Sequence, residues 1–145
     1  VADPLDDAIG KQQLLRMMKS PHVTTEIVDD GGKMVEVIDR VAVLKRGEHY
    51  FDKTEQRWKG FGWEHISRSR GSDASHADQI KKAFKLANND KAVKDIIAEG
   101  LEKGYVNPDS SIEIIYEPEG FLNKLQIVLS NRPSSIGSIT SAYPA

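Results

Sequence analysis

Ser111-Ile112-Glu113-Ile114-Ile115-Tyr116, then Glu117-Pro118-Glu119-Gly120, then Phe121 to Ser130 with Leu125, Ile127 and Leu129 at every second position, is the stretch on which the fold turns. Alternation with period two places successive side chains on opposite faces of a strand, so Leu125, Ile127 and Leu129 share one face. Pro118 and Gly120 break the two apolar runs with turn chemistry, which makes the pair antiparallel neighbours. After a second turn at 131–137, Ser138-Ile139-Thr140-Ser141-Ala142-Tyr143 reads as a third strand. The C-terminal 40 residues are therefore expected to form an antiparallel meander.

Upstream of it the period changes. From His76 to Ala87, the residues Ile80, Ala83, Phe84 and Ala87 fall at i, i+3, i+4 and i+7, the stripe of a core-facing helix, with Ser72, Asp73 or Ser75 as its cap. Asn88-Asn89-Asp90 ends that helix and starts another from Lys91 to Leu101, with Ala92, Val93, Ile96, Ile97 and Leu101 on one side. Gly60 to Arg70 reads as a loop entering a short helix, and His49-Tyr50-Phe51 as a short strand. Val23 to Val28 and Met34 to Leu44 are β-like runs joined by Asp29-Asp30-Gly31-Gly32, a hairpin signal. Asp3-Pro4 is an N-cap followed by proline at the first helical position, and predicts a helix through about Met18. The expected fold is α+β, one domain over residues 1–145: N-terminal helices packed on a curved antiparallel sheet that closes with the C-terminal meander.

Composition narrows the function classes. The chain has 145 residues, 39% hydrophobic and 29% charged, and contains no cysteine, which removes disulfide scaffolds, thiol nucleophiles and cysteine-ligated metals. No apolar run approaches the roughly 20 residues of a membrane-spanning helix. A first residue Val1 without a cationic, apolar leader predicts a C-terminal domain cut from a longer chain. The net charge of −2 is unevenly spread: residues 40–73 carry eight Lys/Arg against five Asp/Glu, whereas residues 1–39 carry four against eight. The basic block also holds His49, Trp58, Phe61, Trp63 and His65, and basic residues interleaved with aromatics can hold a polyanion. Lys59, Arg70 and Trp63 are its candidate RNA-binding residues.

The candidates for chemistry are histidines, arginines and hydroxyls. His65 lies three residues before Arg68 and five before Arg70, and at helical spacing Arg68 shares its face. An imidazole beside a guanidinium suits proton transfer next to a bound phosphate. On the last strand, alternation groups Ile139, Ser141 and Tyr143 on one face and Thr140 with Ala142 on the other, unless a bulge shifts the register toward Thr140. No His-x-x-x-His pair, no calcium-loop spacing and no complete nucleotide-binding glycine loop is present, so neither a metal nor a cofactor is expected.

Gly62-Trp63-Glu64-His65-Ile66 leading into Arg68, together with the terminal Gly137-Ser138-Ile139-Thr140-Ser141-Ala142-Tyr143-Pro144, resembles the two signature blocks of the barnase/EndoU/colicin-type/RelE superfamily of small RNases. The likeness covers about residues 60–145 and leaves 1–59 as a variable N-terminal helix and hairpin. It implies a toxin-type, metal-independent endoribonuclease, tRNA among its substrates, that leaves a 2′,3′-cyclic phosphate. It further implies secretion or delivery into a target-cell cytoplasm and a cognate immunity protein as partner. In that scheme His65 transfers a proton, Arg68 or Arg70 meets the phosphorane charge, Ser141 hydrogen-bonds phosphate, and Tyr143 orients phosphate or stacks a base. This chain has Ser141 where the family's pattern has threonine. It also lacks a second histidine beside Arg68, so any second base has to be His49 or His76. The competing reading is a non-catalytic binding or structural module of a larger surface or phage-type protein.

Overall fold

The computed structural model describes residues 10–28, 31, 33–132 and 135–145. Two hairpins come first, β1 (Leu14–Val28) with β2 (Met34–Lys45) and β3 (Glu48–Asp52) with β4 (Arg57–Phe61). Three helices follow, α1 (Gly62–Ser67), α2 (His76–Ala83) and α3 (Asp90–Lys103). The chain ends in β5 (Tyr105–Asn107), β6 (Ser110–Tyr116), β7 (Leu125–Leu129) and β8 (Ile139–Pro144), hydrogen-bonded in that order as one antiparallel sheet. The α+β class holds, and so does the meander, to which β5 adds a fourth strand.

The expected placement of helices does not hold: they lie mid-chain, and the sheets are not curved. Of the helix expected over Asp3 to about Met18, residues 3–9 lie outside the described residues, Gly10 and Lys11 are helical, and Leu14 onward is strand. The reason is tertiary. Leu14 pairs with Lys45 and Met18 with Ala42, and from Met17 to Ser20 exposure alternates with burial at period two. A long partner strand and a core that accepts Met18 outweigh the weak helical preference of the segment. Instead of one bent sheet there are three, because each hairpin's ladder closes on its own two strands, and the first hairpin meets the meander through an isolated parallel bridge between Val43 and Ser138. Of the expected 29–32 turn, Asp29, Asp30 and Gly32 lie outside the described residues.

Helix ends follow local chemistry. Ser75 caps α2, its hydroxyl accepting from the Asp78 N–H at 3.0 Å, and Asn89 caps α3, its side chain accepting from the Ala92 N–H at 2.8 Å. The α2 stripe ends earlier than expected: Ala83 is the last helical residue, and Phe84 still reaches the core from the cap position.

The core is a sandwich of α3 on the meander. Val93, Ile97 and Leu101 of α3 meet Ile114, Leu125 and Ile127 of the sheet, all fully buried or nearly so. Gly100 is the close-approach point, since a β-carbon there would sit 3.0 Å from the Ile127 side chain and 3.1 Å from Tyr116. Ile66 of α1 and Ile80 of α2 extend the same core and fix these short helices against β8. The loop before β8 docks on the first hairpin: Val43 N–H donates to the Gly137 carbonyl at 3.0 Å, and Glu26 N–H to Ile136 at 3.1 Å. Gly137 has φ of +89° and abuts Thr25 so closely that no side chain fits.

Candidate active site

Three of the four histidines meet in space. His49 comes from β3, His65 from α1 and His76 from the first turn of α2. The Nδ1 atoms of His49 and His65 are 3.0 Å apart; the rings of His65 and His76 lie edge to face with centroids 5.7 Å apart; the His76 ring is 5.4 Å from that of Tyr143. Four elements thus deliver four titratable rings to one place.

Local geometry explains each delivery. Gly62 has φ of +73°, and a β-carbon there would collide with the Lys45 carbonyl, so only glycine turns the chain from β4 into α1 at this point. The turn is held by the Glu64 N–H, which donates to the Arg46 carbonyl at 2.8 Å, and by Ile66, which is fully buried beside His65. In β3, His49 lies opposite Gly60, and the absence of a side chain there leaves room for Trp58 to stack on the imidazole, with centroids 4.7 Å apart and planes 12° from parallel.

The hydrogen bonds set the proton positions. The Ser69 carbonyl can only accept, and it lies 3.0 Å from Nε2 of His49, so that nitrogen carries a proton. Where Nδ1 of His49 carries its lone pair, Nδ1 of His65 donates to it, which leaves the lone pair of His65 on Nε2. By the same logic Nδ1 of His76 donates to the Gln79 side-chain oxygen at 3.1 Å, and its lone pair is also on Nε2. Burial, reinforced by the fields of His49, His76 and Arg70 and opposed by a hydrogen bond to the Lys59 backbone, pulls the His65 pKa down to about 4. Burial also lowers His76, against the opposing Gln79 hydrogen bond. Tyr143 is raised by burial and then by the Glu113 carboxylate, and stays protonated at neutral pH.

These shifts predict a stability profile. The unfolded chain protonates His65 near the ordinary value of about 6.5, the folded chain only near 4. The unfolded state therefore binds more protons between these limits. Its contribution to stability is complete above about pH 6.5 and is lost as pH falls toward 4. Thermal melts between pH 4 and 7 are expected to show a falling Tm on acidification that His65→Gln flattens; equal slopes for both proteins would remove the buried neutral imidazole as the cause.

The other candidates fall into two groups. Arg70 belongs to the cluster: its charge acts on His65 and His76, a short two-way backbone pairing with Asp73 holds its main chain, and its Nε is buried with no hydrogen-bond partner. Ser141 and Tyr143 share a face of β8, being opposite Val128 and Gln126. Ser141 is 7% exposed and its hydroxyl is buried without a partner. The expected grouping of Ile139 with them is corrected, because the register slips by one residue between Leu129 and Val128. Thr140 is the extra residue, and Ile139 turns to the core side with Ala142.

Arg68, Lys59 and Trp63 stand apart. The helix ends at Ser67, so Arg68 is extended rather than one turn beyond His65, and it pairs with Glu64. It borders a cavity of about 250 Å³ shared with Lys11, Arg46, Glu48 and His49. Lys59 bridges Asp52 and Glu55 on its own hairpin. Trp63 is 8% exposed, packs in the core, and has the Lys94 ammonium over its ring at 4.7 Å. The indole beside the imidazoles is Trp58. It could have been found from the alternation in β3, which puts His49 and Phe51 on the face that Trp58 shares.

Among the described residues, no group of three or more His, Cys, Asp or Glu side chains is arranged to hold a metal ion, and no helix is long and apolar enough to cross a membrane. Compared with protein-family models, curated protein sequences and solved structures, the chain matches none.

Proposed function

We propose that the chain is a nucleic-acid-cleaving enzyme of the metal-independent, imidazole-driven kind, and more particularly an endoribonuclease of the toxin type whose signature blocks it resembles. The observation that carries this reading is the convergence of His49, His65 and His76 with Tyr143 and the Arg70 charge. Transfer of a phosphoryl group between neighbouring ribose oxygens needs a base, an acid and a neutraliser of phosphorane charge, and it needs no other cofactor.

In this mechanism Nε2 of His65 takes the proton of the ribose 2′-OH. The freed oxygen attacks the adjacent phosphorus, the bond to the 5′-oxygen breaks, and protonated His76 supplies the proton that the leaving oxygen takes. A 2′,3′-cyclic phosphate and a 5′-hydroxyl result. His49, held by Ser69, is a positioning residue that keeps the proton of His65 on Nδ1. Arg70 faces the phosphorane charge, with Tyr143 and Ser141 as hydrogen-bond donors to its oxygens. Arg68, beside the neighbouring cavity, approaches a flanking phosphate.

Incubating the purified protein with total RNA in EDTA tests this: cleavage to products ending in 2′,3′-cyclic phosphate is expected, while intact RNA, or cleavage abolished by the chelator, overturns it. DNA, which lacks the 2′-OH, stays intact. An immunity protein that covers the basic block remains part of the proposal, and pull-down with the product of the neighbouring reading frame checks it.

Ser141 offers a separate check, because stability and activity are expected to move apart. Ser141→Ala removes a buried, unpartnered hydroxyl, so the melting temperature holds or rises, while loss of a charge-assisted phosphate contact slows cleavage roughly 10–100-fold. Tyr143→Phe isolates the hydroxyl from the ring. Thr140→Ala is expected to act on stability alone; if it is inactive while folded and Ser141→Ala is normal, Thr140 takes the phosphate-contact role.

A further inference from the structure

The imidazole cluster is the inner half of a longer row of rings. On β3 and β4, His49 and Phe51 share a face with Trp58, which lies opposite Phe51. The Phe51 and Trp58 rings are 5.4 Å apart, Trp58 stacks on His49 at 4.7 Å, and His49 is 5.1 Å from His65. From there the row passes through His76 to Tyr143. Its outer end is open to solvent: Phe51, a large apolar ring near the turn of a two-stranded hairpin, is 41% exposed.

We propose that the β3–β4 hairpin is a stacking platform for unpaired nucleotides, with Phe51 receiving a base that flanks the scissile phosphate and the row leading the strand to His65. The inference rests on the endoribonuclease reading and adds the substrate class: single-stranded or looped RNA, not duplex. Bases in a duplex are stacked on one another and keep their faces from a protein ring, whereas splayed bases stack on aromatic side chains. The hairpin's charges agree with stacking as the main attraction. Lys59 is bridged to Asp52 and Glu55, and Arg57 to Glu55 at 2.9 Å, so few cations are left to release counterions from a phosphate backbone. Tyr50 supplies an internal control. It is 45% exposed and adjacent in sequence, yet the strand turns it to the other face, with Lys59 as its opposite residue.

The probe is a fluorescently labelled 2′-O-methyl oligonucleotide, about eight nucleotides long, which cannot undergo 2′-OH attack, and the same strand in a duplex. Fluorescence anisotropy is expected to show at least about tenfold preference for the single strand. Phe51→Leu, which keeps apolar bulk but loses the ring, weakens binding roughly 5- to 100-fold, Phe51→Tyr binds as the parent does, and Tyr50→Leu has no effect. Equal affinity for duplex, or equal losses from Phe51→Leu and Tyr50→Leu, overturns the platform. Cleavage by the parent with undiminished binding in Phe51→Leu overturns the platform alone; ring-dependent binding without any RNA cleavage overturns the endoribonuclease reading and leaves the platform standing.

Discussion

In the proposed mechanism His65→Gln is expected to lower RNA cleavage by about 10²–10⁴-fold, the usual worth of a positioned general base, with the fold retained at pH 7. Glutamine is the informative replacement, since it approximates the size of the imidazole and can still donate toward Nδ1 of His49, 3.0 Å from the native nitrogen. In that mechanism the same residue is expected to govern the acid limb of the pH profile, and His76 the basic limb. With its pKa pulled down to about 4, His65 stays neutral and competent far below the range of an ordinary histidine, so kcat/KM holds as pH falls through 6.5 and drops only near 4. As the proposed acid, His76 has a lowered pKa, which makes its protonated form scarce at neutral pH. An acid-shifted optimum is therefore expected for short substrates. Single-turnover rates of parent and variant on one oligoribonucleotide decide the matter, and undiminished cleavage in folded His65→Gln removes His65 from the mechanism.

The next residue behaves in the opposite way. Ile66 is fully buried where α1 meets the core, and Ile66→Ala costs about 2–5 kcal/mol, because the side chain is lost and the neighbours close the cavity only in part. Against a typical stability of roughly 5–15 kcal/mol for a domain, this is a large fraction. Denaturant titration is expected to show a lower midpoint at unchanged slope, and below the transition the remaining folded protein cleaves RNA at close to the parent rate per folded molecule. A loss under about 1 kcal/mol would mean that α1 is not anchored by this contact. A parent-like fold with a dead active site would mean that Ile66 positions His65 beyond simple anchoring. Adjacent residues on a six-residue helix thus separate chemistry from stability.

Local pattern carried much of the architecture. The α2 and α3 stripes and the Leu125–Ile127–Leu129 alternation depend on the residues themselves and their immediate neighbours, and each reappears in the structure near its expected place. His65 was likewise legible as a candidate from its place between Trp63 and the arginines. The segment from Leu14 to Met18 was not legible, because its residues fit a helix about as well as a strand until β2 is there to pair with them. The bulge at Thr140 was open in the sequence as an alternative register, and the pairing of β7 with β8 decides for it.

What the sequence alone determined is the α+β class, the absence of thiol chemistry and the inventory of groups that could act: four histidines, a basic middle block, and hydroxyls on the last strand. Tertiary structure decided which of them meet. His49, His65 and His76 are separated by 16 and 11 positions in the chain, and no periodicity links a strand, a short helix and a helix start. Only the packing of α1 and α2 against β8, and the turn at Gly62, brings their rings within about 6 Å. Tertiary structure also drew Trp63 into the core and left Trp58 against His49, because a ring's burial depends on what the opposite element presents. For Trp58 that element is β3, which sets Phe51 directly opposite it and His49 within stacking distance.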